Sequence, residues 1–176
     1  ITNLVSNVGV VATDTSGVGT ARHAPAAAGY GGDKAIFGFG QTSPTRVSLT
    51  NLVSNSGVVA TDTTGVGTAR DYLAAASYGG DKAIFAFGTT GSNTNVSNLV
   101  NSSGVVATDT TGVGTARNGL AATGYGGDKA IFAYGDTGSM SSLSNLVSSS
   151  GVVATDTTGV GTARAGPAAA GYSLSA

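Results

Sequence analysis

The chain of 176 residues has no cysteine, no tryptophan and no glutamate, with three prolines and one histidine. Without cysteine, neither a disulfide framework nor a thiolate metal site is possible, so the fold has to rest on backbone pairing and apolar packing. Charged residues make up 10% of the chain and the formal net charge is −1. So few charges do not fit a solvated disordered chain. Little net charge also leaves little repulsion between copies of the chain.

Charge and hydropathy exclude two function classes. The eight Lys and Arg residues are spread singly along the chain, so we expect no nucleic-acid binding. No uninterrupted apolar stretch is long enough to span a bilayer, so we expect no membrane insertion. The first residue is Ile1 and no secretory leader is visible. We therefore expect a mature product or a piece of a longer protein, and the compartment is not indicated.

Internal repeats dominate the sequence. The segment GVVATDTTGVGTAR occupies 57–70, 104–117 and 151–164, and it recurs at 9–22 with one substitution, Ser16. Its final arginines are Arg22, Arg70, Arg117 and Arg164, which are 48, 47 and 47 residues apart. We predict a single repeat domain over residues 1–176. Its parts are a partial repeat at 1–22, full repeats at 23–70, 71–117 and 118–164, and a terminal strand within 165–176.

Each unit is predicted to hold four short antiparallel strands. In the second full repeat, apolar runs separated by Gly, Asn, Asp and Ser place these strands at 73–78, 82–87, 96–100 and 104–108. The Gly79-Gly80-Asp81 segment supplies the positive φ that a tight hairpin needs. No segment has a capped apolar stripe of 3.6-residue period, so we predict an all-β chain with almost no helix.

The order of residues in the unit resembles a kelch repeat. Arg70 is followed by the small strand Ala74-Ala75-Ala76, a Gly-Gly turn, and an aromatic strand that ends at Gly88, before two outer strands. The resemblance implies a β-propeller of four-stranded antiparallel blades, with about four repeats of 47 residues. The near-identical repeats also resemble those of phage virion and bacterial surface proteins. That likeness implies an extracellular or virion-associated role in adhesion or structure.

Other architectures stay open beside the propeller. A β-solenoid and a fibrous trimer also repeat short β units, although solenoid coils usually have a shorter period. The predicted strands are one short of four complete blades, and an open ring would expose strand edges. The ring therefore closes either within one chain or between chains. For this reason we expect self-association through the incomplete end blades.

Residue types that carry catalysis are scarce. His23 is the only histidine, so a Ser-His-Asp arrangement would depend on this one loop residue. Asp14 and its three equivalents lie in Thr-Asp-Thr turns, where turn formation is favoured over calcium binding. The four arginines could bind an anion, but a repeated hydrogen bond between blades is favoured. We therefore predict no enzyme, no cofactor and no metal, with Arg22, Arg70, Arg117 and Arg164 as structural residues.

Differences between the repeats concentrate in two segments of each unit, after the arginine and between the second and third strands. In an up-and-down blade both segments emerge on one face, so we predict a binding face there. Its candidate residues are His23, Gln41, Arg46, Asp71, Tyr72 and Asn118. The predicted function is a binding or structural module for a glycan or a surface protein. The alternative is an architectural self-assembling repeat without a small ligand.

Overall fold

The computed structural model describes residues 1–171, and within them it contains nine β-strands and no helix. The strands form three separate three-stranded antiparallel sheets, each in chain order. The first sheet has β1 (Ala26–Tyr30), β2 (Lys34–Gly38) and β3 (Thr50–Val53); the second has β4 (Ala74–Tyr78), β5 (Lys82–Ala86) and β6 (Ser97–Val100); the third has β7 (Ala121–Tyr125), β8 (Lys129–Ala133) and β9 (Ser144–Val147). The prediction of an all-β chain is confirmed.

A glycine turn joins the first two strands of every sheet. In the second sheet Tyr78 pairs with Lys82, and the turn between them has φ of 61° at Gly79 and 80° at Gly80. These left-handed angles are open to glycine without steric cost. The turn therefore fixes the register of the hairpin, and β4 and β5 begin or end within one residue of the predicted strands.

The fourth predicted strand of the unit is absent as a strand. Beside β3 the chain makes two β-bridges, Val53 to Val59 and Thr50 to Thr63, and the second is offset by one residue from the first. Such an offset is a β-bulge, which interrupts the ladder. The side-chain Nδ2 of Asn51 fills the gap by donating to the carbonyl oxygen of Ala60 at 3.1 Å. The prediction of four-stranded blades is therefore wrong, because each sheet has three strands and a bulged edge.

The three sheets follow one another in series. The first strand of each sheet lies beside the first strand of the next, β1 beside β4 and β4 beside β7. Backbone hydrogen bonds join the turns of adjacent sheets, from Gly31 N to Asp81 O and from Gly79 N to Asp128 O, both at 2.7 Å. Within residues 1–171, no strand pairing connects the first sheet to the third.

This arrangement corrects the predicted architecture. The prediction of a closed β-propeller is wrong, and so is the assignment of the unit as a kelch-type repeat. The three-stranded sheets have too few strands for that architecture, and their open series does not close into a ring. The sequence period gave the length of a unit but not the angle between sheets that decides closure. Residues 165–171 of the predicted terminal strand carry no strand. The rest of that segment lies outside the described residues.

Apolar packing is concentrated between neighbouring sheets. One cluster lies between the first and second sheets and includes Ile36, Phe39 and Phe85; the Phe39 and Phe85 ring centroids are 5.1 Å apart. A second cluster lies between the second and third sheets, where the Phe87 and Phe132 centroids are 5.6 Å apart. Tilted aromatic pairs at these distances are favourable. The core is thus a series of interfaces between sheets.

The first 22 residues form a hairpin without inner strands of its own. β-bridges from Thr2 to Thr15 and from Val5 to Val11 hold it together. We call residues 2–15 the N-terminal hairpin; it has the sequence of the bulged edge and its neighbouring strand in the later units. Its apolar side chains are largely exposed, with 63% exposure at both Val5 and Val11.

We expect Phe85→Ala to lower the free energy of unfolding by about 3–5 kcal/mol, because it leaves a cavity in the first cluster. Urea denaturation followed by circular dichroism measures this change. The control is Val58→Ala, at a side chain that is 64% exposed, which should stay within about 0.5 kcal/mol of the parent. Equal losses in both variants would contradict an interface-based core.

Candidate functional site

Two arginines are buried between sheets. The Arg70 guanidinium carbon lies 4.2 Å from the Phe39 ring centroid, on the side of the first sheet. On the other side, Arg70 Nε donates to the carbonyl oxygen of Phe87 at 2.9 Å. Arg117 repeats both contacts, 4.3 Å from the Phe87 ring and 2.8 Å to Tyr134 O. Each arginine therefore joins the aromatic ring of one unit to the backbone of the next.

Oxygen acceptors close to each guanidinium compensate for the burial of its charge. Arg70 also donates from Nη1 to Thr68 O at 3.1 Å, and Arg117 Nη2 donates to Asn145 Oδ1 at 2.7 Å. Burial lowers the pKa of Arg70 to about 10, so the guanidinium is still charged at neutral pH. A buried charge of this kind is costly unless its hydrogen bonds are made.

A second link connects each unit to the following one through a threonine and an aspartate. The backbone N and Oγ1 of Thr20 donate to Asp62 Oδ2 at 2.9 and 2.6 Å. Thr115 makes the same pair of contacts with Asp156 Oδ2, at 2.9 and 2.6 Å, and Thr68 contacts Asp109. We call this the Thr–Asp link. It differs from the predicted turn role, because the aspartate accepts from the preceding unit.

The asparagine of each Asn-Leu-Val block completes the link. Asn51 Nδ2 donates to Asp62 Oδ1 at 2.8 Å, and the equivalent asparagines do the same to Asp109 and Asp156. The glycine before each linked threonine leaves room for this contact, since a Cβ on Gly67 would lie 2.5 Å from Asn98 Nδ2. Sequence reasoning missed the asparagines and threonines. A polar residue repeated without change inside an apolar strand was the available signal.

These hydrogen bonds act on the titration of the aspartates. Hydrogen bonds from Thr20 and then Asn51 lower the pKa of Asp62. Burial acts to raise the pKa of Asp109 and Asp156, but the hydrogen bonds from their threonine and asparagine partners and the charge of the nearby arginine together outweigh it, and both pKa values are also lowered. The carboxylate form is therefore favoured in the folded state.

The outer two arginines lack half of this arrangement. Arg22 Nη2 donates to Asn51 Oδ1 at 2.6 Å, but its Nε is buried without a hydrogen-bond partner. Arg164 lies over the Tyr134 ring at 4.0 Å and is exposed. Within residues 1–171, only Arg70 and Arg117 are both stacked on a ring and bonded to the carbonyl of a following sheet.

The structure brings the two variable segments of each unit together. A β-bridge joins the residue after each arginine to the loop between the second and third strands: His23 to Gln41, Asp71 to Thr89 and Asn118 to Asp136. We call the surface formed by these segments the variable-loop face.

Five of the six candidate binding residues are engaged within this face. His23 Nε2 and Gln41 Oε1 share a hydrogen bond of 2.9 Å. Arg46 Nε donates to Asp71 Oδ1 at 2.8 Å, and Asp71 is almost fully buried. Asn118 Nδ2 donates to Asn93 Oδ1 at 2.6 Å. Buried or paired side chains such as these position the loops.

Tyr72, the sixth candidate, is exposed as His23 is, with 51% exposure at the tyrosine. It borders an open depression of about 400 Å³ that His23, Pro25, Leu73 and Leu120 also line. The backbone of Gly119 bonds to Tyr72 O at 2.9 Å. The depression thus gathers loops from several units at one place.

A metal-binding cluster and a membrane-spanning helix are both absent from the described residues. No group of three or more His, Cys, Asp or Glu side chains within residues 1–171 is placed to hold a metal ion. No helix in the same range is long and apolar enough to cross a membrane.

Comparisons with known proteins give little. No protein-family model matches the chain, and no curated protein matches it. Among solved structures, the chain is similar to a novel fungal alcohol oxidase of the AA5 family in complex with copper, with 11% sequence identity and a TM-score of 0.49. The match covers 91% of this chain and 47% of that one, so the chain spans less than half of that structure. A similarity of this size supports no conclusion about function.

We expect Asp109→Ala to lower the free energy of unfolding by about 1–2 kcal/mol, because Thr68 and Asn98 lose a charged acceptor at a site that water partly reaches. The matched control is Asp14→Ala, at the same position of the N-terminal hairpin, where only Asn3 donates to the aspartate. It should change stability by less than about 0.5 kcal/mol. Chemical denaturation at low protein concentration compares the two, and equal effects would refute a stabilising Thr–Asp link.

Acid should destabilise the chain through the same aspartates. Because the folded-state pKa values of Asp62, Asp109 and Asp156 are lowered, their contribution is fully present above the unfolded pKa of about 4. It is lost as pH falls through the lower folded values. Thermal unfolding between pH 6 and pH 2 should show this loss, and Asp109→Asn should flatten the profile below pH 4. An unchanged slope in that variant would contradict the assignment.

Proposed function

We propose that this chain is a non-enzymatic binding module whose variable-loop face receives a ligand in the depression beside Tyr72. The observation that carries the proposal is the backbone of Tyr72, a large exposed residue with φ of 50°. The equivalent residues Ala24, Gly119 and Gly166 have φ of 49°, 60° and 66°. All four units therefore impose the left-handed conformation at this position.

A tyrosine at such a position carries backbone strain. Outside glycine, the left-handed region costs about 1–3 kcal/mol, and residues that keep it concentrate at functional sites. The chain also has buried aromatics with positive φ, such as Phe87, but there the ring packs in the core. Half of the Tyr72 side chain faces solvent, so packing does not offset the strain. An exposed ring held in this way is suited to contact with a ligand.

The chemistry of the depression fits a glycan. Tyr72, Leu73 and Leu120 offer an apolar wall, and His23 lies at the same rim. An aromatic ring can cover the C–H face of a sugar, while imidazole and backbone groups bind its hydroxyls. The shallow, open form of the site suits a surface glycan or a surface protein, so we place the module in an extracellular setting.

The surroundings of His23 are the reason why we propose a function without catalysis. His23 is hydrogen-bonded to the Gln41 amide, whereas an acid–base role in nucleophilic catalysis needs a carboxylate and a hydroxyl or thiol beside the ring. We therefore propose binding without chemical turnover.

A second candidate function is architectural self-assembly. It is favoured by the apolar side chains that the N-terminal hairpin exposes, among them Leu4 at 45% and Val5 at 63%. Exposed apolar clusters mark contact surfaces more often than they mark free ones. In this role the chain would associate with copies of itself and would need no small ligand.

We expect Tyr72→Gly to abolish ligand binding while raising stability by about 1 kcal/mol, because glycine relieves the strained φ. A glycan array on the intact protein, followed by titration of any hit, measures binding, and urea denaturation measures stability. Ala24→Gly is the matched control for the backbone effect, and Lys129→Ala is the control on the face with the Gly-Gly-Asp turns. Saturable binding that survives Tyr72→Gly would refute the proposed site.

A further inference from the structure

Three copies of a Gly-Thr-Ala-Arg segment meet an Asn–Asp pair on the following unit. Thr20 binds Asp62, Thr68 binds Asp109 and Thr115 binds Asp156. Two of these aspartates also lie near an arginine of the segment. Arg22 Nη1 is 3.7 Å from Asp62 Oδ1, and Arg117 Nη1 is 3.9 Å from Asp156 Oδ1. The chain thus shows, three times, that this segment and this pair are complementary in shape, hydrogen bonding and charge.

The chain carries a fourth pair without its segment. Asn3 Nδ2 donates to Asp14 Oδ1 at 2.8 Å and to Ala12 O at 3.1 Å, the same contacts that Asn51 makes in the next unit. Asn3 and Asp14 are both exposed, whereas Asn51 is buried beneath its segment. Within residues 1–171, no threonine or arginine bonds to Asp14.

A fourth Gly-Thr-Ala-Arg segment, at 161–164, meets no Asn–Asp pair within residues 1–171. Thr162 and Arg164 are exposed, and the Arg164 guanidinium is already placed over the Tyr134 ring at 4.0 Å. The buried arginines have the same stacking contact at 4.2 and 4.3 Å. Arg164 therefore already makes the ring contact that Arg117 makes where it binds the next unit.

We propose that a second copy of this chain docks its Thr162–Arg164 segment onto Asn3 and Asp14, and so joins copies head to tail. Thr162 donates its backbone N and Oγ1 to Asp14, and Arg164 donates to Asn3 Oδ1. This inference specifies the second candidate function and is independent of the glycan site at Tyr72.

The position of the two surfaces determines what assembly results. The N-terminal hairpin packs on the first unit, where Leu4 lies beside Gly57, and Arg164 lies on the third sheet. The two surfaces are therefore at opposite ends of the series. A contact between different surfaces gives a ring when the rotation closes and a longer chain of copies when it does not.

The proposed joint leaves the apolar side chains of the N-terminal hairpin uncovered. Leu4, Val5 and Val11 of the N-terminal hairpin are 45%, 63% and 63% exposed, and Ile1 next to it is 82% exposed. In the later units the equivalent strand is paired with a Lys-Ala-Ile-Phe strand, as β3 is with β2. The joint proposed here does not supply that strand. We therefore expect association that is weaker than the contacts inside the chain and that depends on concentration.

The test is sedimentation equilibrium of the intact chain over a range of concentrations, with Asp14→Arg and Arg164→Asp as variants. We expect the wild-type mass to rise above 16.9 kDa with concentration, and each variant alone to lower the association constant about tenfold or more. An equimolar mixture of the two variants should recover association, because Arg164 of one meets Asp14 of the other. This recovery excludes a folding defect as the cause.

The controls and outcomes separate the proposals. Asp81→Ala and Lys82→Ala, which change charge at the turn of the middle sheet, should leave the association constant unchanged, and so should Tyr72→Gly. A mass of 16.9 kDa at every concentration would overturn both this joint and the self-assembly function. Association that persists in both charge variants would overturn the joint but leave self-assembly standing. Neither result would affect glycan binding at Tyr72.

Discussion

The arginine buried between two sheets is the constraint on which the rest of this structure depends. A guanidinium removed from water must have its donors satisfied. Arg70 donates to the carbonyl oxygens of Phe87 and Thr68 while it stacks on the Phe39 ring of the preceding sheet. The distance and the order of adjacent sheets follow from that requirement. The aromatic pairs and the alanine-rich strands then pack in the space between sheets whose separation the arginine determines.

This constraint also explains which parts of the unit are identical and which differ. The segment from the Thr-Asp-Thr turn to the arginine supplies both the acceptor for the preceding unit and the donors for the following one, so a change in it would disturb two interfaces. The variable-loop face takes no part in the Thr–Asp link. His23, Tyr72 and Asn118 can therefore differ between units at little cost to the contacts between sheets.

The limits of sequence-based prediction here have physical causes. The hairpin of β4 and β5 could be predicted because glycine turns and apolar runs are local signals. The bulged edge could not, because it depends on Asn51 reaching Ala60 and Asp62 across the ladder. The Thr–Asp link joins residues about forty positions apart, and the openness of the series depends on angles between sheets. The strained φ of Tyr72 likewise comes from its unit and not from its own sequence neighbours.

Comparing the four equivalent arginines shows which contacts are needed to bury the guanidinium between two sheets. Arg22 has a following sheet but no ring beneath it, and its Nε is left buried without a partner. Arg164 lies over the ring of Tyr134, no further sheet follows it within residues 1–171, and it is exposed. Arg70 and Arg117, which have both, are fully buried. The aromatic ring therefore orients the guanidinium, and the next unit buries it. In a repeat protein of this kind, contacts between neighbouring units contribute much of the stability.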